Sequence, residues 1–185
     1  INKLGIYDMF PQYKLYPVTK AIKIEDVPLD EDNEFIKVLF NRQSQRKFCQ
    51  QGVTLKQLGR LLSLSFGFNH RIENGIRLRT YASAGARYPI EVYPIIIRSV
   101  DMEPGIYHYN VIDNSLELIR SGQYEMELSS FYMNQTNLSN VPCYLMLSMV
   151  FERTMEKYGD RGYRFIYLDA GHMSQNLYLV AEFLG

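Results

Sequence analysis

Three short segments hold residue types that could do chemistry. The first is Arg42-Gln43-Ser44-Gln45-Arg46. Two guanidiniums on alternate residues, with a hydroxyl between them, can converge on one phosphate. Arginine makes forked, charge-assisted bonds to phosphate oxygens, and serine adds a short neutral one. The run also reads as a solvated basic helix end that favours the macrodipole. The second is Tyr81-Ala82-Ser83-Ala84-Gly85-Ala86-Arg87-Tyr88-Pro89-Ile90-Glu91. Consecutive small residues let a flat ligand or another backbone approach the main chain. Tyr88-Pro89 predicts an extended exit. A plain tight loop leading into a strand fits the same residues. The third is Lys157-Tyr158-Gly159-Asp160-Arg161-Gly162-Tyr163-Arg164, three cations and two phenols in eight residues. Like charge from Arg161 and Arg164 would push the pKa of Lys157 down, and desolvation would push it further. That would make a base usable near neutral pH; an exposed basic loop between strand and helix is the ordinary alternative. His172, alone near a helix start, reads as a hydrogen-bonded structural group. It has no carboxylate or cysteine partner at metal-ligand spacing, and no metal site is expected.

Composition narrows the classes. Lys plus Arg and Asp plus Glu are 20 each, so the charges cancel. That argues against electrostatic binding of nucleic acid or acidic lipid over a whole face. No run of about 18 apolar residues suggests a membrane span. The first residues, Ile1-Asn2-Lys3-Leu4-Gly5, do not read as a signal sequence. Hydrophobic residues at 46% and charged residues at 22% match a globular chain. Cys49 and Cys143 are the sole cysteines, too few for a disulfide framework, so a cytoplasmic, reducing compartment is expected. Tyrosine is abundant at 15 residues; its flat body and polar tip suit interfaces and cofactor pockets, or simply core and surface.

The elements that must position these segments can be traced. Residues 1–31 show no period and hold Pro11, Pro17 and Pro28, so they are expected to form an arm that wraps another surface. Residues 32–185 form the domain. Asp32 or Asn33 can cap a helix through Arg42, with Phe35, Val38 and Leu39 at helical spacing. Thr54 caps a second helix, whose buried face is Leu55, Leu58, Leu61, Leu62 and Ser65, and Gly67 stops it. A polar loop runs from His70 to Asn74, closed by Gly75. Residues 91–98 read as a buried strand, which Pro94 moves to an edge or marks with a bulge. Ile106–Tyr109 and Leu116–Ile119 flank Asp113-Asn114 as a hairpin. Residues 123–133 can form a short helix, and Cys143–Val150 a second apolar strand. Met173, Leu177, Val180, Ala181 and Leu184 fall on one stripe of a last helix. The order indicates an α+β fold.

Taken together, the segments resemble the nitroreductase superfamily of flavoproteins, and most of all its SagB-type branch of azoline dehydrogenases. Arg42-x-Ser44-x-Arg46 resembles the superfamily's opening flavin-phosphate motif. Ser83-Ala84-Gly85-Ala86-x-Tyr88-Pro89-Ile90-Glu91 is similar to the branch signature S-[AG]-G-A-x-Y-P-I-E. Lys157-Tyr158 with Arg161-Gly162-Tyr163-Arg164 is similar to K-Y-x-x-R-G-Y-R. Gly171-His172-x-x-Gln175-Asn176-Leu177 resembles the opening of the following helix, and Pro104–Tyr109 and Tyr16-Pro17 fit the branch as well.

The resemblance implies a nitroreductase-like sandwich, a mixed or antiparallel sheet flanked by helices, binding FMN. It implies a homodimer with flavin at the interface between subunits. The phosphate would lie on Arg42, Gln43, Ser44 and Arg46, and the ring against Ser83, Ala84, Gly85 and Ala86. The implied reaction oxidises a thiazoline or oxazoline in a ribosomal peptide to the azole. Lys157 would be the general base, Tyr158 would orient or share the proton, and hydride would pass to flavin. Implied partners are a cyclodehydratase complex and a leader-bearing precursor peptide. Relatives of this kind continue past the last helix, so the chain is expected to lack a C-terminal part and to leave an apolar surface for a partner to cover. Two other functions stay open: a general NAD(P)H-dependent nitroreductase or flavin reductase, and a non-catalytic scaffold subunit of a peptide-modifying complex.

Overall fold

The computed structural model describes residues 33–131 and 140–185, together with Lys14 and Ile22–Ile24. The chain divides into two units, Ile1–Asp30 and Glu31–Gly185. Of the first, the four described residues are exposed, and the expected arm lies otherwise outside the described residues. All elements below belong to the second unit.

Helix α1 spans Glu34–Asn41 and starts where Asn33 Oδ1 accepts the amides of Phe35 and Ile36, at 3.1 and 3.2 Å. None of its residues is buried. Helix α2, Leu55–Phe66, opens on a reciprocal cap between Thr54 and Gln57, which satisfies two amide donors that the first turn would otherwise leave open. Leu58, Leu62, Ser65 and Phe66 form its buried face. Leu55 is half exposed instead; it is the first helical residue, and its amide is held by Asp101 Oδ1 at 2.8 Å.

Residues 68–79, expected in part as a polar loop, are a hairpin: β1, Phe68–Glu73, pairs antiparallel with β2, Ile76–Arg79. The turn is Asn74-Gly75, with φ of 50° and 78°, the left-handed pair that a two-residue hairpin demands. Four of the six β1 residues are exposed, so the apolar alternation that usually reveals a strand is absent.

The main sheet has the order β5-β4-β3-β6 and is antiparallel throughout. Its strands are β3 (Ile90–Ile96), β4 (Gly105–Asn110), β5 (Ser115–Ser121) and β6 (Cys143–Met149). Strand β3 is central, yet it carries Pro94. Its pairing with β4 covers Ile95 and Ile96 alone, while its pairing with β6 runs from Ile90 to Ile96. A proline has no N–H to offer a ladder, so the β4 side stops at the next residue. A register shift at Ile106/Tyr107 of β4 adjoins the break. Helix α3, Glu125–Phe131, follows the hairpin as expected.

Helices α4, Phe151–Tyr158, and α5, Gly162–Leu184, complete the unit, joined by a single 3-10 turn, Gly159–Arg161. Helix α4 escaped the sequence reading because it is polar, buries only Thr154 and lacks a side-chain cap. Gly162 lets the two helices touch: a Cβ there would meet Met155 Cα at 3.0 Å. One face of the sheet (Ile90, Val92, Ile96, Tyr107, Tyr109) packs with α2 and with Ile166 and Met173 of α5. Burying each such side chain is worth roughly 1.5–3 kcal/mol against leaving it in water. No described helix is long and apolar enough to cross a membrane.

Candidate functional site

The small-residue segment leaves β2, turns through Ala84–Ala86 and enters β3, held between α4 and α5. The turn is strained. Gly85, Ala86 and Tyr88 have φ of 62°, 53° and 47°, a region that costs a residue with a Cβ about 1–2 kcal/mol. Tyr88 was expected to be extended, as residues before proline are. It is not, because its backbone and ring are both tied down: its N–H donates to Ser83 Oγ at 2.9 Å, and its hydroxyl accepts the Arg79 N–H at 3.0 Å.

From α5, three polar residues at i, i+3 and i+7 grip this strip. Asp169 accepts the Ser83 hydroxyl at 2.5 Å and the Ala84 N–H at 3.2 Å. His172 Nδ1 donates to Ala82 O at 3.0 Å, which places its proton on Nδ1. Asn176 Nδ2 donates to Thr80 O at 3.0 Å. His172 is therefore a hydrogen-bonded structural group, as its sequence context suggested. From α4, Arg153 donates to Tyr88 O at 3.1 Å, and Arg87 returns a bond to Arg153 O at 2.7 Å and pairs with Glu156. Asp169, Arg153 and Glu156 were missed by the sequence reading. The signal for Asp169 was an acid on an apolar face with His172 and Asn176 on the same stripe.

This framework brings the second and third segments together. Lys157 and Tyr158 end α4, and their tips lie over Gly85. A Cβ on Gly85 would sit 2.8 Å from Lys157 Nζ and 2.6 Å from Tyr158 Oη. Lys157 Nζ lies 5.4 Å from the centre of the Tyr158 ring, which packs edge-on against Phe165. A cleft of about 580 Å³ opens here, lined by Ser83, Gly85, Ala86, Lys157, Arg79 and Tyr81 among others. Burial pushes the Tyr81 phenol up to about 12, even beside Arg79, so it stays protonated at neutral pH.

The first segment lies elsewhere. Arg42 is half-buried, its guanidinium 5.9 Å from the centre of the Tyr178 ring, and Gln43, Ser44 and Arg46 are exposed. Tyr178 is nine residues beyond Asp169 on α5, about 13 Å along the axis at 1.5 Å per residue. No hydrogen bond or ion pair among the described residues joins this segment to the turn or to Lys157. Gly85 has no side chain, and the space a Cβ would take is filled by the tips of Lys157 and Tyr158, so the end of α4 closes directly onto the backbone of the turn. Among the described residues no group of three His, Cys, Asp or Glu side chains could hold a metal ion.

The family model for the nitroreductase family matches residues 39–185. The chain belongs to the nitroreductase family. Proteins of this family typically bind flavin. A protein of Methanocaldococcus jannaschii described as a nitroreductase, MJ1384, is 34% identical over 167 residues, covering 90% of this chain and 81% of that protein. The microcin B17-processing protein McbC of Escherichia coli is 28% identical over 144 residues, covering 75% of this chain. The match spans 52% of McbC, about half its length. The fold is shared with a chain of the E. coli microcin synthetase McbBCD complex, solved with truncated pro-MccB17 bound. Its TM-score is 0.62 at 22% identity, covering 98% of this chain and 68% of that one.

Proposed function

We propose that this nitroreductase-family chain is an FMN-dependent azoline dehydrogenase, converting thiazoline or oxazoline rings of a ribosomal peptide to azoles. The observation that carries the reading is the convergence of Lys157 Nζ and Tyr158 Oη on Gly85. A base and a phenol held side by side at the small-residue turn suit proton removal from a carbon acid held against a flat cofactor. A reductase that takes hydride from a nicotinamide needs no such base. FMN, when bound, supplies a two-electron acceptor for hydride. Ser83, Ala84, Gly85 and Ala86 would carry its ring, and Arg42, Gln43, Ser44 and Arg46 its phosphate. Lys157 Nζ accepts the proton from the azoline carbon, and Tyr158 Oη orients or shares it. One proton and one hydride leave together, so the azoline ring is oxidised by two electrons.

The kinship with McbC supports a peptide substrate, and the McbBCD assembly supports work inside a complex with a cyclodehydratase and a leader-bearing precursor. A homodimer with flavin between subunits fits the separation of the two groups of residues along α5, since one subunit can supply phosphate contacts and the other the ring platform. Unburied apolar side chains support such a partner: Phe35, Leu39 and Phe40 on α1, and Leu168, Tyr178 and Phe183 on α5, are each 45% exposed or more.

The test is Lys157→Ala with a thiazoline peptide. The variant should stay yellow yet form no azole, read as the missing loss of two hydrogens per ring. Full activity would remove the base assignment. The similarity to MJ1384 favours a second reading, a general nicotinamide-dependent nitroreductase. Turnover of NADH with nitroaromatics, unaffected by Lys157→Ala and with no azoline oxidation, would establish that reading instead.

A further inference from the structure

We propose that Asp169 is a positioning residue, the lock that holds the Ser83–Ala86 turn in the geometry where Gly85 faces Lys157 and Tyr158. Asp169 is 1% exposed, in the middle of α5, and is the one buried acidic residue among those described. A buried carboxylate needs compensation. Among the described residues no lysine or arginine pairs with it; its two bonds go to the Ser83 hydroxyl and the Ala84 N–H. Both donors belong to the turn. Ser83 is then doubly committed, because its oxygen also accepts the Tyr88 N–H. The hydroxyl at the head of the turn therefore points inward to α5, and what the turn presents to the end of α4 is Gly85, on which the tips of Lys157 and Tyr158 rest.

The arrangement explains how a strained backbone persists. Left-handed φ at Ala86 and Tyr88 survives only where surrounding bonds over-determine it. Asp169 fixes the entry of the turn by two bonds, and Ser83 passes the constraint to its exit through Tyr88. A shift of the turn would move Gly85 relative to α4, whose end carries Lys157. Asp169 thus acts on the reaction through Ser83 and Ala84 without touching the reacting atoms. The catalytic half of this inference rests on the dehydrogenase reading; the structural half does not.

The experiment separates the two. Hydrogen exchange of the Ala84 amide is measured in flavin-free protein for wild type, Asp169→Ala and Ser83→Ala, followed by FMN titration and by kcat and KM for the azoline peptide. Asp169→Ala should speed Ala84 exchange by about ten- to a hundredfold, the worth of a hydrogen bond to a charged group, with the Ile166 and Met173 amides of α5 unchanged. FMN affinity should fall, and kcat should fall with KM little altered. The double variant should lose less than the two single losses summed, since both changes break the Ser83–Asp169 bond. Unchanged Ala84 exchange, or additive losses in the double variant, would overturn the assignment. If Asp169→Ala does not fold, Ser83→Ala breaks the hydroxyl's bond to Asp169 and removes the acceptor of the Tyr88 N–H; Tyr88 exchange should then speed up and FMN affinity fall, and no change in either would overturn the assignment. Faster exchange and weaker FMN binding, in a protein whose wild type oxidises no azoline, would uphold the lock and sink the dehydrogenase reading.

Discussion

Gly85→Ala probes the convergence over the turn directly. An added Cβ would lie 2.6 Å from Tyr158 Oη and 2.8 Å from Lys157 Nζ, about 0.8 and 0.6 Å inside the 3.4 Å where ordinary contact begins. Both atoms are tips of movable side chains, so they give way more cheaply than backbone would. The remaining cost is conformational: φ of 62° costs a residue with a Cβ about 1–2 kcal/mol. Alanine recovers about 0.4–1 kcal/mol of that by restricting the unfolded chain. A net loss near 1 kcal/mol lowers the melting temperature of a domain this size by roughly 2–4 °C. The rate should suffer more. Displacing a reacting group by close to an ångström costs up to about a hundredfold. The assay is azole formation at saturating FMN, set beside a thermal melt. Gly59→Ala is the control: it sits within α2 with nothing within 4 Å of its Cβ, so it should gain stability of about 1 kcal/mol and keep full activity. A Gly85→Ala variant that melts a few degrees low yet turns over at the wild-type rate would refute the role given to the Lys157–Tyr158 pair.

Two further predictions concern titration and thiol chemistry. His108 lies between Glu117 Oε2 at 2.8 Å and Glu91 Oε2 at 3.1 Å; burial opposes its charge, but the two hydrogen bonds win and raise its pKa above the ordinary 6.5. Stabilisation from His108 is therefore full below about pH 6.5 and lost as pH rises through the raised folded value. Glu91 is lowered, its burial outweighed by bonds from His108 and Arg153, and Glu117 is lowered by its bond from His108, so their share is lost as pH falls well below 4.5. The stability difference between wild type and His108→Ala should peak between those limits, and an NMR titration placing His108 at or below 6.5 would contradict the geometry. Cys49 is exposed, whereas Cys143 is partly buried on strand β6 and desolvation pushes its thiol up to about 12, so a thiol reagent at neutral pH should modify one cysteine per folded chain rapidly; equally rapid modification of both would contradict the desolvation of the Cys143 thiol.

Legibility in the sequence followed the source of each element's stability. Helix α2 could be read residue by residue because Thr54, Gln57 and Gly67 are local signals and Leu58 and Leu62 sit on one stripe. The hairpin of β4 and β5 was equally plain from its turn and apolar flanks. The β1–β2 hairpin and α4 were not, because their stability does not come from an apolar face: the first rests on Asn74-Gly75, the second on tertiary bonds such as Val150 N to Pro89 O at 2.8 Å. The site shows the same division. Gly85, Lys157 and Tyr158 were recognisable from segment composition and resemblance. Asp169 was not, because its partners are 85 and 86 positions away in sequence, and only a folded α5 brings them within reach.

The donors of the turn also constrain where a cofactor's charge can go. Ser83 Oγ–H and Ala84 N–H face Asp169, and Ala86 N–H is held by Ser83 O at 3.0 Å. With those groups committed inside the chain, and a buried carboxylate behind them, this segment is a poor place for a phosphate. Under the proposed function it would contact the uncharged ring instead. Under the same proposal a flavin phosphate would find its cations elsewhere, and the half-buried Arg42 and exposed Arg46, with Ser44 between them, have the right chemistry at a distance from the turn. The division of labour proposed above, arginines for charge and small residues for contact, is compatible with these intrachain bonds, and FMN titration of Arg42→Ala against Gly85→Ala would test it.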